Sequence, residues 1–295
     1  MSASPRDPGP VHATVAPQAP VTPPPPRMRG RLRRNSALIA SISTFAVLGV
    51  IVLVFVTAPG ARKFQEAFLS PDAALESAHP VWTGFVINIE LMLAAEALVL
   101  VFALVIAVVR GLPGPAAFPL RMLAIAYTDF FRGVPIVLVV FAIGLGIPAL
   151  GIDVLYTDNF FVYGLVSLVL VYSAYVAEVY RAGIESVHES QVAAARSLSF
   201  SHFQSLRYVV MPQAVRRVVP PLLNDFIGLQ KDTALVSFVG VLEAFRRAQD
   251  HMAVTFNFTA LTVAALFFVA LTVPLARVAD WLVERDRRKM RALGG

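Results

Sequence analysis

Apolar positions gather into six runs, residues 37–57, 82–109, 118–148, 160–182, 214–239 and 257–283. Each exceeds the roughly 20 residues that an α-helix needs to cross a hydrocarbon core. None alternates polar with apolar, and lipid admits only helices or closed barrels. The pattern therefore predicts an all-α membrane protein with six transmembrane helices. The third run is long, with an interfacial start and a bend expected at Pro135, where an internal hydrogen bond is lost. The fifth run is the least apolar, since it carries Asn224, Asp225, Lys231 and Asp232; hydropathy alone passes over it. Basic residues before the run 37–57 give it the outline of a signal sequence. It is long enough to span and lacks a convincing cleavage site, so a retained first helix is expected. Residues 1–36, rich in proline and then in arginine, are expected to be a disordered tail, and residues 286–295 a second, basic one.

Composition strengthens this picture. The chain is 57% hydrophobic and 15% charged, with a mean hydropathy of +0.69, so it has too little polar surface for a water-soluble domain of 295 residues. It has no cysteine, which excludes disulfides, thiolate zinc sites and cysteine nucleophiles. The net charge of +6 could fit nucleic acid, but the arginines flank apolar runs instead. With both termini cytoplasmic, the inner segments and the arginines bordering them hold roughly eighteen Lys and Arg, against four outside (Arg62, Lys63, Arg246, Arg247). The lipid bilayer, not nucleic acid, is the expected partner. The sequence has no GxxxxGK[ST] loop, and its five histidines are scattered without metal-ligand spacing. No catalytic function, metal or cofactor is expected on this chain.

The stretch 185–212 is unusual for a loop between spans. Ser186 with Glu189, and Ser201 with Gln204, match capping-box spacing. Val192, Ala195 and Leu198 share one helical face, and Phe203, Leu206 and Val210 share another. Two short helices with a break near 199–201 are expected. By pattern alone they could rest on the bilayer surface or dock against a protein.

Longer motifs bear on that choice. The run AAARSLSFSHFQSLRYVVMPQ resembles the signature loop of binding-protein-dependent ABC importer permeases: Glu-Ala-Ala, three residues, Gly, nine residues, then Ile-x-Leu-Pro. Ala194 and Ala195 stand at the alanines, and Val209, Met211 and Pro212 at the last three positions. Ala193 replaces the acidic residue and Ser199 the glycine. EVYRAGIES (178–186), LLNDFIGLQKDTALVSFVG (222–240) and YTDFFRGVP (127–135) resemble the polar amino acid branch, whose members import histidine, glutamate, glutamine, arginine or opines. The resemblance spans about residues 82–285 and leaves the tail and first helix outside.

It implies a five-helix permease core with an extra N-terminal helix in a bacterial inner or plasma membrane. It also implies a coupling contact to a separate ABC ATP-binding subunit, with Ser190, Ala193, Ala194, Ala195, Leu198 and Ser199 at the dock. An extracytoplasmic solute-binding protein and a second permease copy, identical or related, complete the implied assembly. ATP and magnesium would be bound by the partner ATPase. Because a left-handed turn suits glycine better than serine, the break at Ser199 is expected to differ in shape.

Charges inside spans are costly and mark either paths or structural pairs. Glu96, Glu90, Asn224, Lys231 and Asp232 are the candidate path residues. Glu96 lies deeper than Glu90, which could instead be interfacial, and six positions put the two on different faces. Lys231 and Asp232 could line a path or pair with neighbouring helices; Asn224 could bind substrate or lock two helices. Arg132 is expected to snorkel or to secure the bend at Gly133–Pro135. Two functions follow: a permease subunit of an ATP-driven importer of polar amino acids working by alternating access, or an ion-coupled transporter acting without an ATPase. The second should show internal repeats, and none is evident.

Overall fold

A computed structural model describes residues 26–293; residues 1–25 of the expected tail and residues 294–295 lie outside the described residues. Every regular element among the described residues is helical. The chain divides into two units, residues 1–61 and 62–295.

Among its described residues the first unit holds one full helix, α1 (Pro26–Thr57). It begins within the basic stretch that composition assigned to the tail. Its apolar part, Ile39–Thr57, buries none of its side chains, which fits a helix whose solvent is lipid.

The second unit holds α2 (Ala61–Phe68), α3 (Pro71–Arg110), α4 (Phe118–Gly133), α5 (Ile136–Phe141), α6 (Ile147–Ala149), α7 (Phe160–Glu185), α8 (Glu189–Ser197), α9 (His202–Ser205), α10 (Met211–Asp232), α11 (Ala244–Thr255) and α12 (Thr259–Leu293). Helix α12 thus runs through the basic residues expected to form a C-terminal tail. Among the described residues of both units, four helical stretches are long and apolar enough to span, α1 included, and five if the bent pair α4 with α5–α6 counts as one. Helix α10 is not among them, because its polar residues dilute its hydropathy.

Helix α3 starts at Pro71, well before the expected residue 82. Ser70 caps it, its Oγ accepting from the Ala73 amide (3.4 Å), and proline fits the first turn, where its missing N–H has no helical partner. Along α3, Val81, Phe85, Asn88, Met92, Ala95, Val99 and Ala103 are buried at spacings of three and four. The inner stretch packs Leu91, Ala95, Val99 and Ala103 against Leu168, Tyr172 and Val176 of α7 and Leu229 of α10. The outer stretch packs Val81 and Phe85 against Ala244 and Ala248 of α11 and Ala260 and Ala264 of α12. Helix α3 is therefore a wall shared by both cores.

Close approach depends on small residues, as it does generally between helices in lipid. A Cβ at Gly84 would lie 2.6 Å from the Glu243 carbonyl carbon. At this crossing Glu243 caps α11, which lies between the fifth and sixth apolar runs. Its Oε1 accepts from the Arg246 amide (2.7 Å) and its Oε2 from the Phe245 amide (2.9 Å). Asn88 completes the node. Its Nδ2 donates to Glu243 Oε2 (3.0 Å) and Thr233 Oγ1 (3.0 Å), and its Oδ1 accepts from the Ala244 amide (3.0 Å).

The third apolar run is not one bent helix. Helix α4 ends at Gly133, Val134 is extended (φ −94°, ψ 131°), and α5 departs at 107° to α4. Proline at 135 has no amide hydrogen and pushes the residue before it out of helical conformation. The break lies where it was expected, but it is a sharp turn rather than a kink. The fifth run also divides: α10 passes into a 3₁₀ stretch, Thr233–Val239, which ends at Gly240 with φ 98°.

Asn88→Leu should lower the melting temperature of the detergent-solubilised protein by several degrees, because each buried group left unpaired costs about 1–3 kcal/mol. Asn224→Leu, at an exposed position on α10, should shift it far less. Equal shifts in the two variants would remove the Asn88 node from the supports of the fold.

Candidate translocation cavity and coupling loop

The break before α5, the middle of α7 and the second half of α10 enclose a cavity of about 420 Å³. Arg132, Gly133, Val134, Pro135 and Ile136 form one wall, Val171, Tyr172 and Tyr175 a second, and Asn224, Asp225, Gly228 and Asp232 a third. Asp225, Gly228 and Asp232 recur at helical spacing, so one stripe of α10 faces the hollow. The Tyr172 hydroxyl donates to Asp232 Oδ2 (2.8 Å). A Cβ at Gly228 would approach that hydroxyl to 3.2 Å, so glycine there gives the tyrosine room against α10. Oδ2 of Asp225 is buried and has no hydrogen-bond partner. A buried acceptor of this kind is costly unless a donor reaches it.

A second hollow of about 350 Å³ shares Arg132, Tyr175 and Asp225 with the first, and adds Glu178, Gly183, Ser186, Arg217 and Pro221. These three shared residues stand between a chamber beside the break and one beside the root of the loop. Arg132 neither bonds the carbonyls of the bend nor snorkels free. Its Nη1 lies 3.8 Å from Glu178 Oε2, and its own carbonyl accepts from the Tyr175 hydroxyl (3.5 Å).

Of the candidate path residues, the structure brings Asn224 and Asp232 into this cavity. Glu96 is half-buried and within electrostatic reach of Asp225 and Tyr180, but it does not line the hollow. Glu90 lines a separate hollow of about 530 Å³ with Asp158, Asn159, Phe160 and Gly240. There Asp158 accepts from the Tyr156 hydroxyl (2.9 Å), a bond that raises this phenol's pKa above its ordinary value. Lys231 turns away from Asp232 toward an apolar groove with Phe245, Leu261 and Phe268. Asp225, Tyr172 and Tyr175 were missing from the candidate set. For Asp225 the signal was in the sequence: Asp225, Gly228 and Asp232 sit at i, i+3 and i+7.

The loop after α7 contains the two expected short helices. Ser201 and Gln204 form the expected reciprocal box: the Ser201 amide donates to Gln204 Oε1 (2.8 Å), and the Gln204 amide to Ser201 Oγ (3.2 Å). Ser186 and Glu189 do not. His188 caps α8 instead, its Nδ1 accepting from the Ser190 amide (3.2 Å), while the Ser186 hydroxyl bonds back to the Gly183 carbonyl at the end of α7. Ala195 is buried against the chain itself, and Val192 is half-buried. Leu198, assigned to the same face, is 73% exposed. Ser190, Ala193, Ala194 and Ser199 are also exposed. Gln213 of α10 donates to Gln191 of α8, and Arg217 to the Ser186 carbonyl, so α10 holds the root of the loop.

Ser199 has φ 64°. The Phe200 amide donates to the Ala195 carbonyl (3.2 Å), and the Ser199 amide to the Arg196 carbonyl (2.9 Å). This is the paired-bond helix ending that usually places glycine at the left-handed position. The break therefore keeps the shape that glycine would give it, and serine takes up the strain, contrary to the expected difference in shape.

The fold has counterparts in known proteins. Residues 116–288 match the family described as binding-protein-dependent transport system inner membrane component, and the chain belongs to that family. It is 36% identical over 168 residues (57% of this chain, 76% of the relative) to the probable glutamine ABC transporter permease protein GlnM of Bacillus subtilis (strain 168). It is 30% identical over 210 residues (70% and 93%) to that organism's probable glutamine ABC transporter permease protein GlnP. Among solved structures, an amino acid ABC transporter crystallised with histidines aligns with a TM-score of 0.66 at 28% identity, covering 72% of this chain and 96% of that one. The inward-facing MetNI methionine ABC transporter shares the fold, with a TM-score of 0.56 at 16% identity, over 73% and 98% of the two chains. With its apolar helices, the chain is a multi-pass membrane protein.

Replacing Ser199 by glycine should relieve about 1 kcal/mol of left-handed strain. Hydrogen exchange at the Phe200 amide should slow about fivefold after correction for intrinsic rates, and Ser199→Val should speed it. Unchanged exchange in both variants would show that the turn is not held in this form.

Proposed function

We propose that this chain is the permease subunit of an ATP-driven importer of polar amino acids. The observation that carries the reading is the cavity of about 420 Å³, which sets one guanidinium, Arg132, and two carboxylates, Asp225 and Asp232, around a single hollow. Its size is at the small end of ligand sites. A zwitterion fits both signs of charge, and an ammonium would supply the donor that Asp225 Oδ2 lacks. Asn224 and the Tyr172 and Tyr175 hydroxyls offer further hydrogen bonds for orientation. Membership of the family and the amino acid transporters among its relatives support the same substrate class.

In this reading a separate ABC ATP-binding subunit docks on the exposed face of α8, at Ser190, Ala193, Ala194, Leu198 and Ser199. An extracytoplasmic solute-binding protein delivers substrate, and a second permease copy, identical or related, completes the path. Both termini lie in the cytoplasm of a bacterial cell in this reading, and the distribution of basic residues supports that orientation. ATP and magnesium belong to the partner, and transport proceeds by alternating access. The burial of Ala195 leaves Ala193 and Ala194 as the alanines that a partner can touch.

Reconstituted with its ATP-binding subunit and binding protein, the chain should take up one of L-glutamine, L-glutamate, L-histidine or L-arginine when ATP is supplied. Uptake by the chain alone under an ion gradient would overturn the proposal. Asp225→Asn should cut uptake about tenfold or more, the scale of one lost charge-assisted hydrogen bond, without loss of assembly. Ala194→Trp should leave the chain inserted but separate ATP hydrolysis from uptake. Normal uptake by that variant would remove α8 from the dock.

A further inference from the structure

One carboxylate, on Glu178, gathers three guanidiniums from three helices. Its Oε2 accepts from Arg110 Nη1 (2.8 Å), the last residue of α3, and lies 3.8 Å from Arg132 Nη1 of α4. Its Oε1 accepts from Arg181, one turn further along α7. The three are not held alike. Arg110 also donates to Thr128 Oγ1 (2.9 Å), and its side chain is 14% exposed. Arg181 has a second carboxylate in Glu185. Arg132 makes the longest of the three contacts, is 41% exposed, and is the one that lines the cavity. It is also the one cation among the described residues lining that cavity.

Two further placements give this asymmetry a consequence. Arg132 immediately precedes Gly133–Val134–Pro135, where α4 and α5 diverge by 107°. Glu178 lies two turns before the end of α7, whose capping residue Ser186 bonds Arg217 and opens the loop. The Arg132–Glu178 contact therefore joins the cavity wall to the helix from which the loop hangs.

We propose that Arg132 is a shared cation that passes between Glu178 and the α-carboxylate of the transported amino acid. This rests on the transport reading given above. With the cavity empty, Arg132 stays with Glu178 and ties the break to α7. A carboxylate in the cavity competes for the guanidinium, which binds carboxylates through a planar fork. When Arg132 leaves, Glu178 keeps Arg110 and Arg181, so no buried charge is left unpaired. The tie between the break and the root of the loop is then released. Arg132 reads the substrate carboxylate, and Glu178 is a positioning residue that sets how readily Arg132 is given up.

A double-mutant cycle in the reconstituted complex tests this, with uptake of L-glutamine, L-glutamate, L-histidine and L-arginine measured beside their α-amides. Glu178→Gln should lower KM several-fold and raise the ATP hydrolysed per molecule imported. Arg132→Gln should raise KM about tenfold for the amino acids and much less for the amides. Arg132→Lys, which keeps the charge, should recover most of that loss. In the Arg132→Gln background, Glu178→Gln should no longer change KM. A Glu178→Gln effect that persists without Arg132 would make Glu178 a plain structural tie and overturn the proposal. Equal KM increases for acids and amides would also overturn it. An unmodified complex that imports none of the four would overturn the transport reading and this inference together, whereas normal uptake with an unaltered cycle overturns this inference alone.

Discussion

Proline at 135 cannot donate a backbone hydrogen bond, and its ring holds Val134 in an extended conformation. From that constraint follow the end of α4 at Gly133, the divergence of α5 by 107° and the hollow between the two. A straight helix would close this space with its own side chains. The break opens it onto α7 and α10 and places Arg132 at its edge. In a hydrocarbon setting such a break persists only where protein surrounds it. Here α7 supplies that cover, with Tyr175 bonding the Arg132 carbonyl.

The rest of the second unit holds this arrangement in place. Helix α3 supports both cores with a stripe of mostly apolar residues, and the Asn88–Glu243 node ties it to α11 and to the 3₁₀ stretch after α10. Lipid gives helices no hydrophobic reason to associate, so close packing and internal hydrogen bonds carry the load. Gly84 at the α11 crossing and Gly228 beside Tyr172 mark two of these close contacts. The polar groups within the spans thus serve two ends. Asn88 and Glu243 are paired and lock helices, while Asp225 retains an unpaired oxygen beside the cavity.

The loop after α7 combines a strained ending with two anchors to α10. Ser199 keeps the left-handed turn that its backbone bonds require, so the substitution of serine changes its energy more than its form. Gln213 and Arg217 connect the loop to the same helix that lines the cavity. The loop and the cavity wall are therefore both joined to α10, and to α7 through Glu178.

Much of this was legible along the chain. Apolar length gave the spans 37–57, 82–109, 160–182 and 257–283, because one helix crossing lipid must satisfy its backbone internally whatever its neighbours are. Proline chemistry gave the position of the break, capping spacing gave Ser201–Gln204, and ordered motifs gave the family. Other features depended on neighbours distant in sequence. Helix α11 is too short and too charged to announce itself, and it exists against Gly84 and Asn88. His188 rather than Ser186 caps α8, since the Ser186 hydroxyl is held at the end of α7. Glu90, Glu96 and Lys231 look equivalent to Asp232 in sequence. Tertiary packing alone turns Asp232 toward Tyr172 and Lys231 toward an apolar groove, since adjacent helical residues diverge by about 100° and a neighbour decides which direction is the interior. Local chemistry determined where the helices run and break; contacts across the bundle decided which polar groups meet.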